Sequence, residues 1–362
     1  MRNFNRFFLS LSLVIGLFLS ACNETDPVLT ALDADVIVVN EGNFNSADAT
    51  LSAYNSSTGQ VFLSVFASTN GFPFAGTLQN VVEYQDKYFA VISNTDKLEV
   101  LNKSDFKSVA TIKPGSSAPI KFASPFSFAA VGNKGYISNW GTYNPSTWGY
   151  DNPSIVVVDL TNYTITGKID VTERPQHLLA IGNKIYVSDV TSNTISIINT
   201  STDQIEANKI AVGKNGPDKM LLDANNKLWV ICRSKNLVRI NPATNEVEAT
   251  IENIESLGFN AKLVTNGEKN KLYYMASKYA PDYSYTDAKI FEIAITATSA
   301  PANPIITGRN FYGLGVHPKT GVIYVADANA FQSNGTIIRY KNDGTEMDSF
   351  AAGKGPNGFI FR

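Results

Sequence analysis

The 362-residue sequence predicts an all-β protein, a seven-bladed β-propeller of four-stranded blades. Three observations carry that prediction. First, an aromatic residue recurs inside a short apolar strand that follows a Gly/Asn/Lys turn: GNKGYIS (132–138), GNKIYVS (182–188), NNKLWVI (225–231), NKLYYMA (270–276) and GVIYVAD (321–327). With DKYFAVIS from Asp86 and the variant DVIVVN from Asp35, the anchors are Val38, Tyr88, Tyr136, Tyr186, Trp229, Tyr273 and Tyr324. Second, successive anchors lie 50, 48, 50, 43, 44 and 51 residues apart, the period of propeller blades and far above that of leucine-rich repeats. Third, the repeat opens on the second strand of a blade (DVIVVN) and ends on a lone first strand, GPNGFIF (355–361), which matches the GPDKMLL (216–222) that opens the fifth blade. The two ends therefore complete one shared blade, and the ring is left without an open edge.

Taken in order, residues 1–21 have the pattern of an export signal: Arg2 and Arg6 precede an apolar run, Phe7 to Leu19, that is followed by Ser20 and Ala21. The run is interrupted by Ser10, Ser12 and Gly16 and is shorter than the roughly 20 apolar residues a spanning helix needs. Leu19-Ser20-Ala21-Cys22 resembles the lipobox of bacterial lipoproteins, which implies that Cys22 is lipidated and heads the mature chain. Residues 22–33 are then a lipidated cysteine and tether, and 34–362 the propeller. Asn23-Glu24-Thr25-Asp26 resembles the acidic signal that sends lipoproteins of Bacteroidetes to the exterior of the outer membrane. The expected location follows: lipid-anchored at the outer membrane, with no other membrane contact. A net charge of −2 gives no basic footprint for nucleic acid. Cys232, the second cysteine, is expected to be a small buried hydrophobe.

Each repeat carries four strand signals; in the fourth they are PQHLLAI, KIYVS, TISIIN and EANKIAV. In an up-and-down blade the turns after the first and third strands share one face, and these are mostly short here. The links after the second and fourth strands share the other. The second-strand links are long at 40–49, 138–153, 276–287 and 326–334, and long loops on a rigid scaffold are where binding residues collect. They are also aromatic. The candidate ligand-binding set is Phe44, Trp140, Tyr143, Trp148, Tyr150, His177, Tyr279, Tyr283, Tyr285, Tyr312 and Phe331. Fourth-strand links add Phe72, Phe74, Phe122 and Phe311. Such aromatics either pack on one another or form the wall of a site, and their concentration on one face favours recognition.

Residues for catalysis are sparse. The only histidines, His177 and His317, cannot build a histidine metal cluster, and neither has a nucleophile and an orienting acid nearby in the pattern of a triad. His317 falls at a turn; His177 falls near the start of an inner strand at the channel mouth. Glu83 and Asp218 are the carboxylates closest to the channel, too few for the oxygen ligands a calcium ion takes. No cofactor, metal site or enzymatic activity is expected.

NEGNF (40–44) followed by ATLSAY (49–54), the IYVSD-type strands and the ending GKGPNGFIF (353–361) resemble the YncE-like propeller lipoproteins of Bacteroidetes. The resemblance covers nearly all of the mature chain. It implies a surface protein that captures a bulky nutrient, foremost a corrinoid such as cobalamin, and passes it to a TonB-dependent outer-membrane transporter; related surface propellers take iron-siderophore complexes. It carries over no contact residue, so the aromatic set rests on this sequence alone. A protein-interaction platform on the same face is the competing expectation, and a channel-centred hydrolase a third.

Overall fold

Short strands of β-branched and aromatic residues separated by Gly, Asn and Asp turns can bury their apolar faces only by stacking sheet on sheet. The computed structural model describes residues 30–44, 46–115, 120–172, 174–258, 261–280, 285–308 and 310–362. Cys22 and the rest of residues 1–29 lie outside it. Seven antiparallel four-stranded sheets form a ring, a seven-bladed β-propeller. The first strands, Thr77–Tyr84, Pro125–Val131, Pro175–Ile181, Pro217–Leu222, Lys262–Thr265, Phe311–Val316 and Pro356–Phe361, stand side by side around the channel.

The second strands are covered on both faces by neighbouring blades and read as unbroken apolar runs. Val36–Asn40 and Leu228–Cys232 are buried at every position. The repeat aromatics sit here, and Tyr88, Tyr136, Tyr186, Trp229, Tyr273 and Tyr324 are all fully buried between blades. Most of their polar tips find partners: Tyr136 Oη donates to Asp203 (2.6 Å), Trp229 Nε1 to Asp223 (2.8 Å) and Tyr273 Oη to Glu292 (2.7 Å), whereas Tyr88 Oη is buried without a hydrogen-bond partner among the described residues. An aromatic whose polar end is so bonded fills the wedge between twisted sheets without stranding a buried donor. Cys232 is buried as expected, and burial pushes its thiol up to about 12.

The ring closes between the two ends of the propeller. Val36 pairs with Phe361, Ile37 with Ile360, Val38 with Phe359 and Val39 with Gly358, before a bulge sets Asn40 against Pro356. The Arg362 guanidinium then donates to the carbonyls of Leu32 (3.2 Å) and Lys103 (3.3 Å), tying the last residue to the segment before the first strand and to the second blade.

The links depart from simple loops in three places. Residues 142–151 form a small hairpin, Thr142–Asn144 with Gly149–Asp151, projecting beyond the third blade. Most of 276–287 is strand, because Lys271–Tyr279 and Tyr285–Ala294 run on past the blade with a bulge and pair out to Tyr279 and Tyr285. Between the first and second blades, Val65–Asn70 is a helix that buries Val65 and Phe66 and ends on Gly71 in the left-handed conformation (φ 77°). In the fourth blade the outer strand is split into Gln204–Ile205 and Ile210–Ala211, both on Thr194–Asn199, with Lys184 holding Glu206 (2.8 Å) in the gap.

Truncation after Lys354 removes the closing strand and exposes edges on both sides of the gap. The expected outcome is loss of a cooperative thermal transition by circular dichroism. Met347→Asp, on an exposed part of the seventh blade's outer strand, should leave the midpoint within about 2 °C.

Candidate functional site: the loop-side channel mouth

The links after second and fourth strands meet on one face. Gly42 N–H donates to Lys354 O (3.0 Å), Asn43 Nδ2 to Phe331 O (3.4 Å), and Tyr312 and Phe331 meet edge to face with centroids 4.9 Å apart. Within this rim the first few residues of the inner strands form a polar collar.

Glu41 is the hub on one side. Its backbone N–H donates to Gly355 O (2.8 Å) and its carbonyl accepts from Leu78 N–H (3.1 Å), while its carboxylate accepts from Tyr312 Oη (2.5 Å), Asn357 Nδ2 (3.0 Å) and Gln79 Nε2 (3.5 Å). One acid thus joins the first, second and seventh blades. Burial raises its pKa, opposed by the Tyr312 hydrogen bond and the Lys262 charge. Lys262, 7% exposed, hydrogen-bonds Asn357 and lies 5.5 Å from the Tyr312 ring centroid. Burial and the nearby Lys219 charge bring its ammonium down to about 7.

Across the mouth, Asp218 is 1% exposed and is held by His177 Nε2 (3.0 Å) and Arg233 Nε (2.8 Å). Burial pushes the Asp218 carboxyl up, but the His177 hydrogen bond and the Arg233 charge outweigh it, so the group stays below the usual carboxylate range. Burial, then the Lys219 ammonium, push His177 down to about 4. At neutral pH it is therefore a neutral ring donating Nε2–H to a carboxylate. Among the described residues no hydroxyl or thiol is hydrogen-bonded to that ring, and no group of three His, Cys, Asp or Glu is placed to hold a metal. Glu83 lies at the other end of its inner strand, paired with Lys103, so it and Asp218 face opposite ends of the channel.

An aromatic wall climbs from this collar. The His177 ring meets Phe126 edge to face (5.2 Å), Phe126 stacks on Trp140 (4.6 Å, 15°), Trp140 meets Tyr150 (5.1 Å) and Tyr150 meets Tyr143 (5.6 Å). Trp140 is fixed by its Nε1–H to Pro175 O (2.9 Å), and the Arg174 guanidinium lies 4.7 Å from its ring centroid. Trp140, Tyr143, Tyr150 and His177 are thus brought together. Tyr312 and Phe331 form a second group across the ring, on the seventh blade. Trp148, at the hairpin turn with φ 54° and 84% exposed, and Phe44, 74% exposed, stand apart from both. Tyr283 lies outside the described residues; Tyr279 and Tyr285 are paired strand ends. Phe74, Phe122 and Phe311 are core residues. His317 caps its own turn, its Nδ1 accepting from Lys319 N–H (3.1 Å) and Thr320 N–H (3.3 Å).

Sequence reasoning missed Glu41, Phe126, Arg174, Lys219, Arg233 and Lys262. A usable signal was present: Asp218-Lys219 and Lys262 place charge at the start of inner strands, where a blade core has no use for it.

A family described as "Domain of unknown function (DUF5074)" matches residues 35–354. The chain belongs to this family. No curated protein matches the sequence. Solved structures resemble the DUF5074 chain in fold. A functionally unknown protein from Desulfotomaculum acetoxidans has a TM-score of 0.65 at 9% identity, covering 90% of this chain and 98% of that one. A quinonprotein alcohol dehydrogenase-like protein from Bacteroides thetaiotaomicron has a TM-score of 0.64 at 12% identity, covering 91% and 78%. Kuenenia stuttgartiensis hydrazine synthase has a TM-score of 0.56 at 14% identity, covering 78% and 88%. At such identities the likeness extends to the fold alone. Among the described residues of this DUF5074 protein, no helix is long and apolar enough to cross a membrane.

The depressed His177 pKa has a consequence for stability. The unfolded ring binds a proton below about 6.5 and the folded ring only below about 4, so stability from this group is complete above 6.5 and is lost as pH falls toward 4. At about 1.4 kcal/mol per unit the loss is about 3 kcal/mol. His177→Gln, which can still donate to Asp218, should show a smaller fall in urea stability between pH 7 and pH 4 than the parent.

Proposed function

We propose that this DUF5074 propeller is a non-enzymatic binding protein of the cell surface that holds a bulky, partly apolar nutrient across its loop-side channel mouth. The observation that carries this reading is the continuous aromatic wall from His177 through Phe126, Trp140, Tyr150 and Tyr143, stiffened by Arg174, on the face where the long links converge. Stacked rings fixed by a backbone hydrogen bond offer preorganised contact area at small entropic cost. The channel beneath encloses a cavity of about 340 Å³, lined by Asn80, Ser127, His177 and Lys219 among others. That is at the small end for a ligand pocket, which favours a ligand lying over the mouth with one group inserted. A groove of about 550 Å³ on the short-turn side, between Lys134, Lys168 and Asp203, has no aromatic lining.

A corrinoid is the ligand we favour, since its apolar faces suit Trp140 and Tyr150 and its amide rim suits loop Asn side chains. Handover to a TonB-dependent transporter, anchored beside it through Cys22, follows from the sequence resemblance and belongs to the same proposal. The exposed Trp148, Phe44 and Tyr143 favour a second reading, a protein-interaction face.

Calorimetry with cobalamin, cyanocobinamide and an iron-siderophore complex separates these. Corrinoid binding should be seen at micromolar protein, and Trp140→Ala should weaken it by about tenfold or more while Trp148→Ala changes it less than threefold. No heat with either corrinoid ends that claim. Loss of partner capture on Trp148→Ala alone would favour the platform.

A further inference from the structure

The collar holds more positive charge than its own acids engage. Lys219, on the inner strand of the fifth blade, makes no hydrogen bond or ion pair among the described residues, although it lies within the electrostatic reach of Asp218 and lines the channel cavity with His177. Lys262, on the inner strand of the sixth blade, has a neutral amide, Asn357, and a ring face, Tyr312, as its contacts. The two ammonium groups repel each other, and burial disfavours both. Asp218 relieves them only through space, because its two oxygens are hydrogen-bonded by His177 and Arg233. Glu41 likewise acts on Lys262 only through space, its carboxylate being hydrogen-bonded by Tyr312, Asn357 and Gln79. Arg174 adds a guanidinium whose Nε is buried and unpartnered.

Two neighbouring, incompletely compensated cations at the channel mouth, of which Lys219 lines the cavity, raise the energy of the empty state, and an incoming anion lowers it. We propose that the channel mouth is an oxyanion site, in which Lys219 and Lys262 clamp a phosphate or carboxylate group that enters from the loop side. Neutral His177 lines the cavity next to it. The anion is either free in solution or the acidic group of a larger ligand lying on the Phe126–Trp140 wall. The site does not depend on the identity of that ligand.

The groups facing the clamp are Glu41, Arg174, His177, Asp218 and Arg233. Between pH 6 and pH 8, Asp218 stays a carboxylate and His177 stays neutral. Lys262 loses its proton across that interval, and any deprotonation of the buried Glu41 acts in the same direction. Anion binding therefore takes up a proton and weakens as pH rises.

The test is calorimetry on the purified protein at constant ionic strength in chloride. Sulfate, which does not titrate in this range, serves for the pH series. Sulfate and orthophosphate should bind, and sulfate affinity should fall by about tenfold from pH 6 to pH 8, the change in protonated fraction of a group with a pKa of about 7. Lys219→Met and Lys262→Met should each weaken sulfate at least tenfold while keeping or raising the thermal midpoint, which shows that the fold is intact. Lys227→Met, paired with Glu248 on the short-turn face, should leave affinity unchanged. Phenyl phosphate binding tenfold tighter than orthophosphate assigns the anion to a ligand on the aromatic wall; equal affinities assign it to a free ion. No binding beyond chloride, affinity unaffected by either folded lysine variant, or affinity that rises with pH overturns the proposal.

Discussion

Closure of the ring is the constraint on which the rest depends. A blade has two apolar faces and cannot bury both alone, so every sheet needs neighbours on two sides. A linear array meets this condition everywhere except at its ends. Here Pro356–Phe361 adds to Val36–Asn40, and the first and seventh blades gain their missing partner. Glu41 reinforces the seam, because backbone and carboxylate together reach Gly355, Leu78, Tyr312, Asn357 and Gln79. An acid in NEGNF that looks like a loop residue in the sequence is a structural hub.

The same closure creates the mouth. Inner strands converge on the axis, so side chains at their first positions are crowded together whatever their charge. Glu41, His177, Asp218, Lys219 and Lys262, which apart from the adjacent Asp218-Lys219 are 41 or more residues apart in sequence, end linked by electrostatic interaction, Lys262 with each of Glu41, Asp218, Lys219 and His177. Burial dominates the shift of each, pushing Lys262 and His177 toward their neutral forms and Glu41 toward protonation. Only Asp218, with two firm partners, overcomes it. The collar is tuned by desolvation more than by pairing.

The hairpin of the third blade joins this collar to the surface. Trp140 is held by Pro175 and stacked on Phe126, Arg174 covers its ring, and Tyr150 and Tyr143 continue outward. The wall is both self-packed and open at its edge. Contact among aromatics and contact with a ligand are thus not opposed alternatives, since the packing that fixes the rings is what makes their free edges a defined surface.

Local pattern determined the architecture. Anchors such as Tyr136 and Trp229 recur at blade period, turn residues punctuate the strands, and the lone GPNGFIF strand announces closure; each is a short-range signal that a sequence displays directly. Which links are long, and that they share a face, followed from strand alternation in the same way. Tertiary structure alone decided what those links become and which residues meet. The extension of Lys271–Tyr279 and Tyr285–Ala294, the folding of 142–151 into a hairpin and the clustering of Lys219 with Lys262 depend on neighbours brought close by the ring. Periodicity records which side chains are buried; it holds no record of which distant charges are buried against one another, because that is set by the convergence of seven strands on one axis.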